Sequence, residues 1–419
     1  MRILQIHKYF SRQRGGGSVS AFFETKKLLE KKGHQVIVFS MQDESNEASG
    51  YSRYFVSHFD INQTKNFPEK IKLALRSIHN REAQKKLEQL IQDTQPEVAH
   101  IHNIYHYLTP AIFSTLKKHN IPIVFKLSDY KIICPNYKLF TKGKICERCR
   151  GGKYYNAVRH KCLKNSYAVS AVAMLEAYYH RWKKSYDLID RFLAPSNFMI
   201  EKVSSFGFPR EKMILLRNVL NFSNFQPSFA KENYFAYVGR ISEEKGLNTL
   251  LEAIAILQKE NNLFNHKLLI VGQGPEEENL KKLARQLKIE KLVKFKGFLP
   301  KNSPEWVKLF QKARFTVLPS IWYDNSPVAI SESMAFGTPV VVSHLGGTPE
   351  MIEDGKSGLI FQAGQADDLA EKIKTMLSDL SATGKMGEKA VERVKEINNE
   401  EKYYQKLIQV YQEVIAKYK

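Results

Sequence analysis

Two cations and a carboxylate in the second half of the chain have side chains suited to binding phosphate and sugar hydroxyls. Arg240 and Lys245 lie five residues apart just after a predicted strand, where the carboxyl end of a sheet would present them to a diphosphate. Glu332 lies in a predicted helix among small residues, and its carboxylate can accept two hydrogen bonds from a vicinal diol such as that of a ribose. The alternatives are an exposed charged turn for the cations and a solvated surface charge for Glu332.

The segment before Glu332 predicts an anion site. Ser326 followed by Pro327 predicts the start of a helix, whose first unpaired N–H groups would face a phosphate. Asp324 precedes this helix and in the alternative interpretation is only a loop cap. The common dinucleotide and P-loop fingerprints do not fit, because their required glycines fall on Ser20, Glu277 and Glu350. NAD and ATP enzymes with those loops are therefore disfavoured.

All four cysteines fall within 29 positions, at Cys134, Cys146, Cys149 and Cys162. Clusters of this kind in the cytosol more often bind a metal than form disulfides, and four thiolates favour tetrahedral zinc. The zinc would be structural, because four protein ligands leave no open position for catalysis. The alternatives are an iron–sulfur cluster and unligated or redox-active thiols.

Length and composition set limits on the architecture that positions these residues. The chain has 419 residues, of which 43% are hydrophobic and 26% charged, and this is typical of two or three globular domains. No apolar run approaches the roughly 18 residues that a spanning helix needs. The apolar stretch at the N-terminus is too short for a signal peptide. We therefore expect a cytoplasmic protein that is peripheral to the membrane at most.

The predicted elements alternate between strand and helix in two successive series. The first series has predicted strands at 3–7, 35–40, 98–101 and 122–127, with helices at about 21–32, 71–91 and 112–119. The second series, after a turn-rich stretch at 221–227, has predicted strands at 234–238, 267–271, 293–295, 315–318, 339–342 and 359–361. Such alternation predicts two doubly wound α/β domains with parallel sheets, at residues 1–210 and 211–395.

Ligands of doubly wound sheets bind beyond the carboxyl ends of the strands, so we expect a cleft between the two domains. A single long helical pattern runs from about residue 387 to 417, and the last segment, 396–419, is predicted as a C-terminal helix. This helix either closes the second domain or returns to the first.

The positive charge of the chain is concentrated in its first half. Residues 1–210 carry 35 Lys and Arg against 17 Asp and Glu, whereas residues 211–419 carry 29 against 26. The first half is therefore expected to meet nucleic acid, a phospholipid surface or a phosphate-bearing substrate. An aromatic helical pattern at 167–182 follows the lysine-rich cysteine segment at about 131–165. It either rests on anionic lipid headgroups or forms ordinary core.

The order and spacing of these motifs resemble glycosyltransferase family 4. The resemblance is specific in the second half and weaker in the first, where a glycine-rich turn at 14–18 and the segment 194–197 carry it. The second-half motifs are those at 238–246, 271–275, 295–298, 319–342 and 346–350. The resemblance covers nearly the whole chain. It implies a GT-B fold of two Rossmann-like domains facing a cleft, and a retaining transferase that uses a nucleoside diphosphate sugar.

The resemblance also implies a role for each matching residue. Arg240 and Lys245 would hold the donor diphosphate, Glu332 would bind the ribose hydroxyls, and the backbone near Gly297 and Phe298 would meet the base. Asp324 stands where the family has a glutamate that contacts the donor sugar. The other implied donor contacts are Gly16, Gly17, Gly239, Asn325 and Ser326, and the candidates for sugar or acceptor contact are Ser128, Asp129 and His102.

Ser128 stands where many relatives carry a histidine. A serine can hydrogen-bond a sugar hydroxyl but cannot act as a general base near neutral pH. The resemblance therefore implies front-face retention, in which an oxygen of the donor phosphate helps to deprotonate the acceptor. Arg240, Lys245 and helix N–H groups would stabilise the departing diphosphate, and no catalytic metal is expected.

Together these observations predict transfer of a sugar from a nucleoside diphosphate donor, UDP-sugar before GDP-mannose. The predicted acceptor is a hydroxyl of a glycan, linked to polyprenyl diphosphate or another carrier, in capsule, exopolysaccharide or lipopolysaccharide biosynthesis at an anionic membrane face. One alternative is a zinc-containing nucleic-acid-binding protein, which would explain only the basic half and leave Arg240, Lys245 and Glu332 without a role. Another is a GT-B sugar-nucleotide epimerase or phosphorylase.

Overall fold

The structure is a computed structural model that describes residues 1–14, 16–59 and 66–418. The chain divides into two compact units. The first comprises Met1–Thr141, Cys146–Val219 and Glu400–Lys419, and the second comprises Lys142–Ile145 and Leu220–Asn399. Each unit is built on a six-stranded sheet whose neighbouring strands run parallel. This confirms the α/β fold class with parallel sheets.

The first unit alternates short buried strands with helices. Its strands are β1 (Arg2–Ile6), β2 (Gln35–Phe39), β3 (Val98–Ile101), β4 (Ile123–Lys126), β5 (Phe140–Thr141), β7 (Arg191–Ala194) and β8 (Met213–Leu215), whereas β6 (Lys144–Ile145) falls in the short segment that belongs to the second unit. Its helices before the second unit are α1 (Gly17–Lys31), α2 (Phe67–Ile78), α3 (Arg81–Thr94), α4 (Ile112–Lys118), α5 (Asn156–Arg159), α6 (Tyr167–Trp182) and α7 (Asn197–Ser204). The last two strands of the main sheet, β7 and β8, are not among the strands predicted from the sequence.

The strand order of the first sheet is β2-β1-β3-β4-β7-β8. The order reverses direction between β1 and β3, and ligands of such sheets bind beyond the carboxyl ends of the strands at this switch point. The core strands β3 and β4 are buried along their whole length, as parallel strands covered by helices on both faces should be.

The second unit repeats the architecture with a different strand order. Its strands are β9 (Tyr234–Val238), β10 (Lys267–Val271), β11 (Val293–Gly297), β12 (Thr316–Leu318), β13 (Val340–Ser343) and β14 (Gly358–Phe361), and its helices are α8 (Leu247–Lys259), α9 (Glu277–Gln286), α10 (Pro304–Lys312), α11 (Val328–Ala335), α12 (Ala366–Ser378) and α13 (Leu380–Ile397). The order β11-β10-β9-β12-β13-β14 is that of a dinucleotide-binding sheet, with its switch point between β9 and β12.

The prediction of one long helix at the C-terminus is wrong. The helical pattern is divided at Asn398 and Asn399 into α13 and a last helix, α14 (Glu400–Ile415). Asn398 is buried and its side chain accepts a hydrogen bond from Ser331 Oγ at 3.2 Å, so it takes part in a polar contact rather than in a continuous helix. The two helices belong to different units.

The last helix packs within the first unit. Tyr403, Leu407, Val410 and Val414 form its buried stripe. The hydroxyl of Tyr411 lies 2.6 Å from Nδ1 of His100 on β3, which ties the helix to the sheet.

The helical pattern predicted at 71–91 also consists of two helices, α2 and α3. They separate at His79 and Asn80, where the side chain of Asn80 caps α3 by accepting a hydrogen bond from the backbone N–H of Ala83 at 3.2 Å. In the described part of the chain, no helix combines the length and the apolar character needed to cross a bilayer.

Candidate functional site

The loops that follow β9 and β12 meet at the switch point of the second sheet. Lys245, from the first loop, forms an ion pair with Asp324, from the second. Ser320 Oγ donates a further hydrogen bond to Asp324 Oδ2 at 3.1 Å. Lys245 Nζ also lies 5.3 Å from the ring centre of Trp322. A cation and a carboxylate are thus held together at the place where such sheets bind their ligands.

Two glycines allow these loops to approach one another closely. Gly246 has φ +68°, and a Cβ there would lie 2.0 Å from the carbonyl oxygen of Pro319. Gly346, after β13, has φ +69°, and a Cβ there would lie 2.2 Å from the carbonyl oxygen of Asp324. Only glycine combines this left-handed conformation with such contacts. The backbone therefore fixes the positions of Lys245 and Asp324 before any ligand binds.

Glu332 lies on α11, eight residues after Asp324, and is buried. Its Oε1 lies 2.7 Å from Nζ of Lys301, a residue of the turn that follows β11. Since the strands are parallel, this turn and the loops after β9 and β12 follow the same edge of the second sheet. The structure therefore places a buried carboxylate and two lysines along one edge.

The other donor residues predicted in the second unit also lie along this edge. Arg240 follows β9 and is exposed, while its carbonyl oxygen accepts a hydrogen bond from Tyr237 at 2.6 Å. Gly239 donates its N–H to the carbonyl oxygen of Val271 at 3.0 Å. Gly297 ends β11, and the ring of Phe298 beside it is exposed.

The predicted helix start at Ser326 is wrong by one step along the chain. Helix α11 begins at Val328, and its N-cap is Pro327 in an extended conformation with ψ 122° and no side-chain cap. Because Pro327 itself is extended rather than helical, it takes the N-cap position, and Ser326 lies one residue before the cap. Asn325 is buried in the turn just before it.

The glycine turn predicted in the first unit lies between β1 and α1. Gly16 is the N-cap of α1, with φ 89°, and Gly17 is the first helical residue, whereas Gly15 lies outside the described residues. His7, just after β1, is buried and its Nε2 lies 3.3 Å from Ser18 Oγ in the first turn of α1. The start of α1 therefore lies at the carboxyl edge of the first sheet.

The candidate acceptor residues follow β3 and β4 at the same edge. Asp129 accepts hydrogen bonds from Asn103 Nδ2 at 3.1 Å and from the backbone N–H of Lys131 at 2.9 Å. Burial raises the pKa of Asp129. The Oγ of Ser128 has no hydrogen-bond partner among the described residues.

His102 differs from these candidates because it is fully buried. Its ring stacks on that of His100, with the centroids 4.3 Å apart. Burial lowers the pKa of His102 well below its ordinary value, so the ring is neutral near pH 7. The side chain of His102 therefore does not reach the solvent-accessible part of the carboxyl edge of the first sheet.

The predicted zinc site is not supported. Among the described residues, no group of three or more His, Cys, Asp or Glu side chains is placed to hold a metal ion. The thiols have other neighbours: Cys134 Sγ donates to Asn136 Oδ1 at 3.0 Å, and Cys146 Sγ lies 3.8 Å from Arg148. None of the four cysteines, which include Cys149 and Cys162, forms a disulfide. Burial raises the pKa of Cys134 to about 11, and the neighbouring thiols of Cys162 and Cys146 add to this rise.

Comparison with known proteins agrees with this geometry. Residues 220–393 match the family described as glycosyl transferases group 1. WcaL of Escherichia coli K12, provisionally named a colanic acid biosynthesis glycosyltransferase, is 30% identical over 214 residues, which are 49% of this chain and 52% of WcaL. The chain thus spans about half the length of this curated relative.

Solved structures resemble the whole chain. HepE of Anabaena in complex with UDP matches with a TM-score of 0.63 and 17% identity, covering 99% of this chain and 100% of HepE. Sucrose-phosphate synthase of Thermosynechococcus elongatus matches with a TM-score of 0.71 and 18% identity, covering 99% of each chain. The protein has the GT-B fold. The second sheet of this GT-B protein and its Lys245–Asp324 pair lie within residues 220–393, the part of the chain that matches glycosyl transferases group 1.

Sequence reasoning missed three residues of the GT-B candidate site. Lys301 pairs with Glu332, Ser320 donates to Asp324, and Trp322 lies beside Lys245. All three follow the carboxyl end of a strand, and that position is the signal that could have found them. The partners of Lys301 and Trp322 could not be predicted, because these two contacts join loops that follow different strands, whereas Ser320 and Asp324 lie in one loop.

Proposed function

We propose that the protein is a retaining glycosyltransferase that moves a sugar from a nucleoside diphosphate donor to a hydroxyl of a glycan acceptor. The observation that carries the proposal is the convergence of Lys245 and Asp324 at the switch point of the second sheet. The buried Glu332 on the helix that follows supports it. The match of residues 220–393 to glycosyl transferases group 1 supports the same conclusion.

Each group at this edge has a task in the proposed reaction. Lys245 and the exposed Arg240 neutralise the charge that develops on the diphosphate as the bond to the sugar breaks. Glu332 accepts hydrogen bonds from the ribose hydroxyls, and Asp324 accepts one from the donor sugar. The exposed ring of Phe298 and the backbone at Gly297 face the base.

The acceptor hydroxyl attacks the anomeric carbon on the face that the diphosphate leaves. Its proton passes to an oxygen of the departing phosphate, so the products are the glycoside and the nucleoside diphosphate. This route needs no histidine at position 128, and Ser128 and Asp129 are left to orient the acceptor. Retention and front-face geometry are carried by the resemblance to glycosyltransferase family 4.

The donor we propose is a UDP-sugar, because HepE, which shares the fold, is solved in complex with UDP. The acceptor we propose is a glycan on a polyprenyl diphosphate carrier in extracellular polysaccharide biosynthesis. WcaL, named for colanic acid biosynthesis, supports the pathway. The excess of basic residues in 1–210 supports an anionic acceptor at a cytoplasmic membrane face.

A thermal-shift panel of UDP-, GDP- and ADP-sugars tests the proposal, followed by measurement of released nucleoside diphosphate. We expect the UDP-sugar to stabilise the wild-type protein, and Glu332→Ala to reduce the shift in melting temperature at the same ligand concentration. Glu392→Ala, on an exposed part of α13, is the matched control and should behave as wild type. Binding without release of nucleoside diphosphate would favour an epimerase. Salt-sensitive RNA binding without nucleotide-sugar binding would contradict the proposal.

A further inference from the structure

Helix α2 of the first unit exposes a stripe of large apolar side chains. Phe67, Ile71 and Leu75 follow one another at intervals of four residues and are 73%, 47% and 62% exposed. Ser77 is the one residue of α2 that is fully buried. Residues spaced in this way lie on one side of a helix, so one apolar stripe of α2 faces solvent, while Leu73, Ala74 and Ile78 are half-buried.

Helix α6 exposes a second apolar stripe. Leu175, Tyr178 and Trp182 are spaced by three and four residues, and Trp182 is 73% exposed. The opposite side of α6 packs into the unit through Ala173, Glu176 and His180. The exposed rings are therefore not the core side of this helix.

The two helices are joined by hydrogen bonds at the end of α2. His180 Nε2 donates to the carbonyl oxygen of Ile78 at 2.9 Å, and the hydroxyl of Tyr179 lies 3.0 Å from His79 Nδ1. These contacts bring the end of the first stripe beside the second. We call the combined surface the α2–α6 patch, consisting of Phe67, Ile71, Leu75, Leu175, Tyr178 and Trp182.

Basic side chains surround the α2–α6 patch. Lys183 Nζ lies 4.6 Å from the ring centre of Trp182, and Lys161 Nζ lies 4.3 Å from that of Tyr167 at the start of α6. Within 67–78 and 161–184, which the structure describes in full, Glu69 is the one exposed acid. The cations of these two stretches are Lys70, Lys72, Arg76, Lys161, Lys164, Arg181, Lys183 and Lys184.

We propose that the α2–α6 patch binds the surface of an anionic lipid bilayer. Apolar side chains of this size enter the boundary between headgroups and acyl chains, and tryptophan and tyrosine favour that depth. The lysines around the patch meet the lipid phosphates, each adding to the attraction. The apolar stripes supply insertion and the basic side chains supply attraction to phosphate, and an anionic bilayer offers both partners in one surface.

The inference rests on the proposed function only in one respect: the proposed function explains why the enzyme would bind a membrane. A lipid-linked acceptor is confined to the bilayer surface, so an enzyme bound there meets it at high local concentration. Binding to lipid is measurable without any donor or acceptor.

The test is flotation of the full chain with vesicles of phosphatidylcholine alone or with about 30% phosphatidylglycerol, at low and high salt. The variant Phe67→Glu/Leu75→Glu removes two apolar side chains of the patch. The control Phe264→Glu/Leu380→Glu makes the same chemical and charge change at two exposed apolar positions of the second unit. Both pairs are exposed, so neither is expected to disturb folding.

We expect wild type and control to float with anionic vesicles and not with neutral ones. The patch variant should bind about tenfold or more weakly. The tryptophan emission of wild type should shift to shorter wavelength on binding, and Trp182→Phe should remove that shift, since the other two tryptophans, Trp306 and Trp322, lie in the second unit.

Three results would overturn the inference: no binding, equal binding to neutral vesicles, or equal loss of binding in the two double variants. Self-association that the patch variant abolishes in the absence of lipid would instead assign the surface to a second copy of the chain. Lipid binding without release of nucleoside diphosphate from any donor would leave the inference standing and reject the proposed function.

Discussion

Lys301 Nζ lies 2.7 Å from Glu332 Oε1, so the turn after β11 and helix α11 are joined by an ion pair. The glutamate is buried and the lysine is partly exposed. This pair fixes the direction of the carboxylate that we assign to the ribose. It also links the loop beside Phe298, which would meet the base, to the helix whose Glu332 would meet the ribose.

Replacing Glu332 should weaken donor binding without unfolding the protein. A hydrogen bond to a charged group contributes about 1.5–3 kcal/mol, so Glu332→Ala should weaken donor affinity by roughly tenfold to 150-fold. Lys301→Ala removes only a partly exposed partner and should weaken it by up to about fivefold. Calorimetric titration with the UDP-sugar measures both, and a larger effect from Lys301→Ala would contradict the assignment.

Replacing Lys245 should impair turnover more than donor binding. If the lysine stabilises charge on the leaving diphosphate, Lys245→Ala should lower kcat by about a hundredfold to a thousandfold. It also leaves the buried Asp324 without its cation, which lowers stability. The double variant Lys245→Ala/Asp324→Asn separates the two effects, because it should recover melting temperature but not kcat. Recovery of both would show that Lys245 has only a structural role.

A buried ion pair in the first unit makes folding sensitive to acid. Lys131 Nζ lies 2.7 Å from Glu176 Oε2, and both side chains are buried. Burial alone would raise the pKa of Glu176, but the charges of Lys131 and His106 outweigh it and hold this pKa well below its ordinary value of 4.5. The stability from this group is therefore complete above about pH 4.5 and is lost as the pH falls further.

Removing one partner of this pair should be costly at neutral pH. Glu176→Gln leaves the Lys131 ammonium buried without a counter-charge and should reduce the free energy of unfolding by about 3–5 kcal/mol. The double variant Lys131→Met/Glu176→Met should restore most of it. Urea unfolding at pH 7 gives both values, and additive losses in the double variant would show that the residues act independently.

Four buried histidines predict a second loss of stability at milder acid. Burial lowers the pKa of His7 and His100 to about 3 and that of His180 to about 4, and it lowers the pKa of His102 well below 6.5. The unfolded chain binds their protons below about pH 6.5, whereas the folded chain does not. Stability is therefore fully present above that pH and is lost as the pH falls toward the folded pKa values.

Each of these histidines should contribute about 1.4 kcal/mol per pH unit between pH 6 and pH 4.5. Replacing His102 by leucine should reduce the slope of the unfolding free energy against pH by about 1.4 kcal/mol per pH unit over this range. A slope that His102→Leu does not alter would contradict the buried neutral state.

The sequence predicted the parallel α/β architecture, because buried parallel strands read as short continuous apolar runs and helices as periodic ones. Strands 234–238 and 267–271 were predicted at their observed bounds for this reason. The predicted helix bounds were wrong where a polar contact or a proline sets the end of a helix, as at Asn398 and Pro327. No pattern of hydrophobicity carries that information.

The chain order alone also placed Arg240, Lys245 and Glu332 after strands of one sheet, and hence near one edge. Tertiary structure decided which side chains touch: Lys245 meets Asp324, and Glu332 meets Lys301. It also decided that His102 is buried and that the apolar stripe of α2 is exposed. These outcomes depend on contacts between segments distant in sequence, which composition and local spacing do not specify.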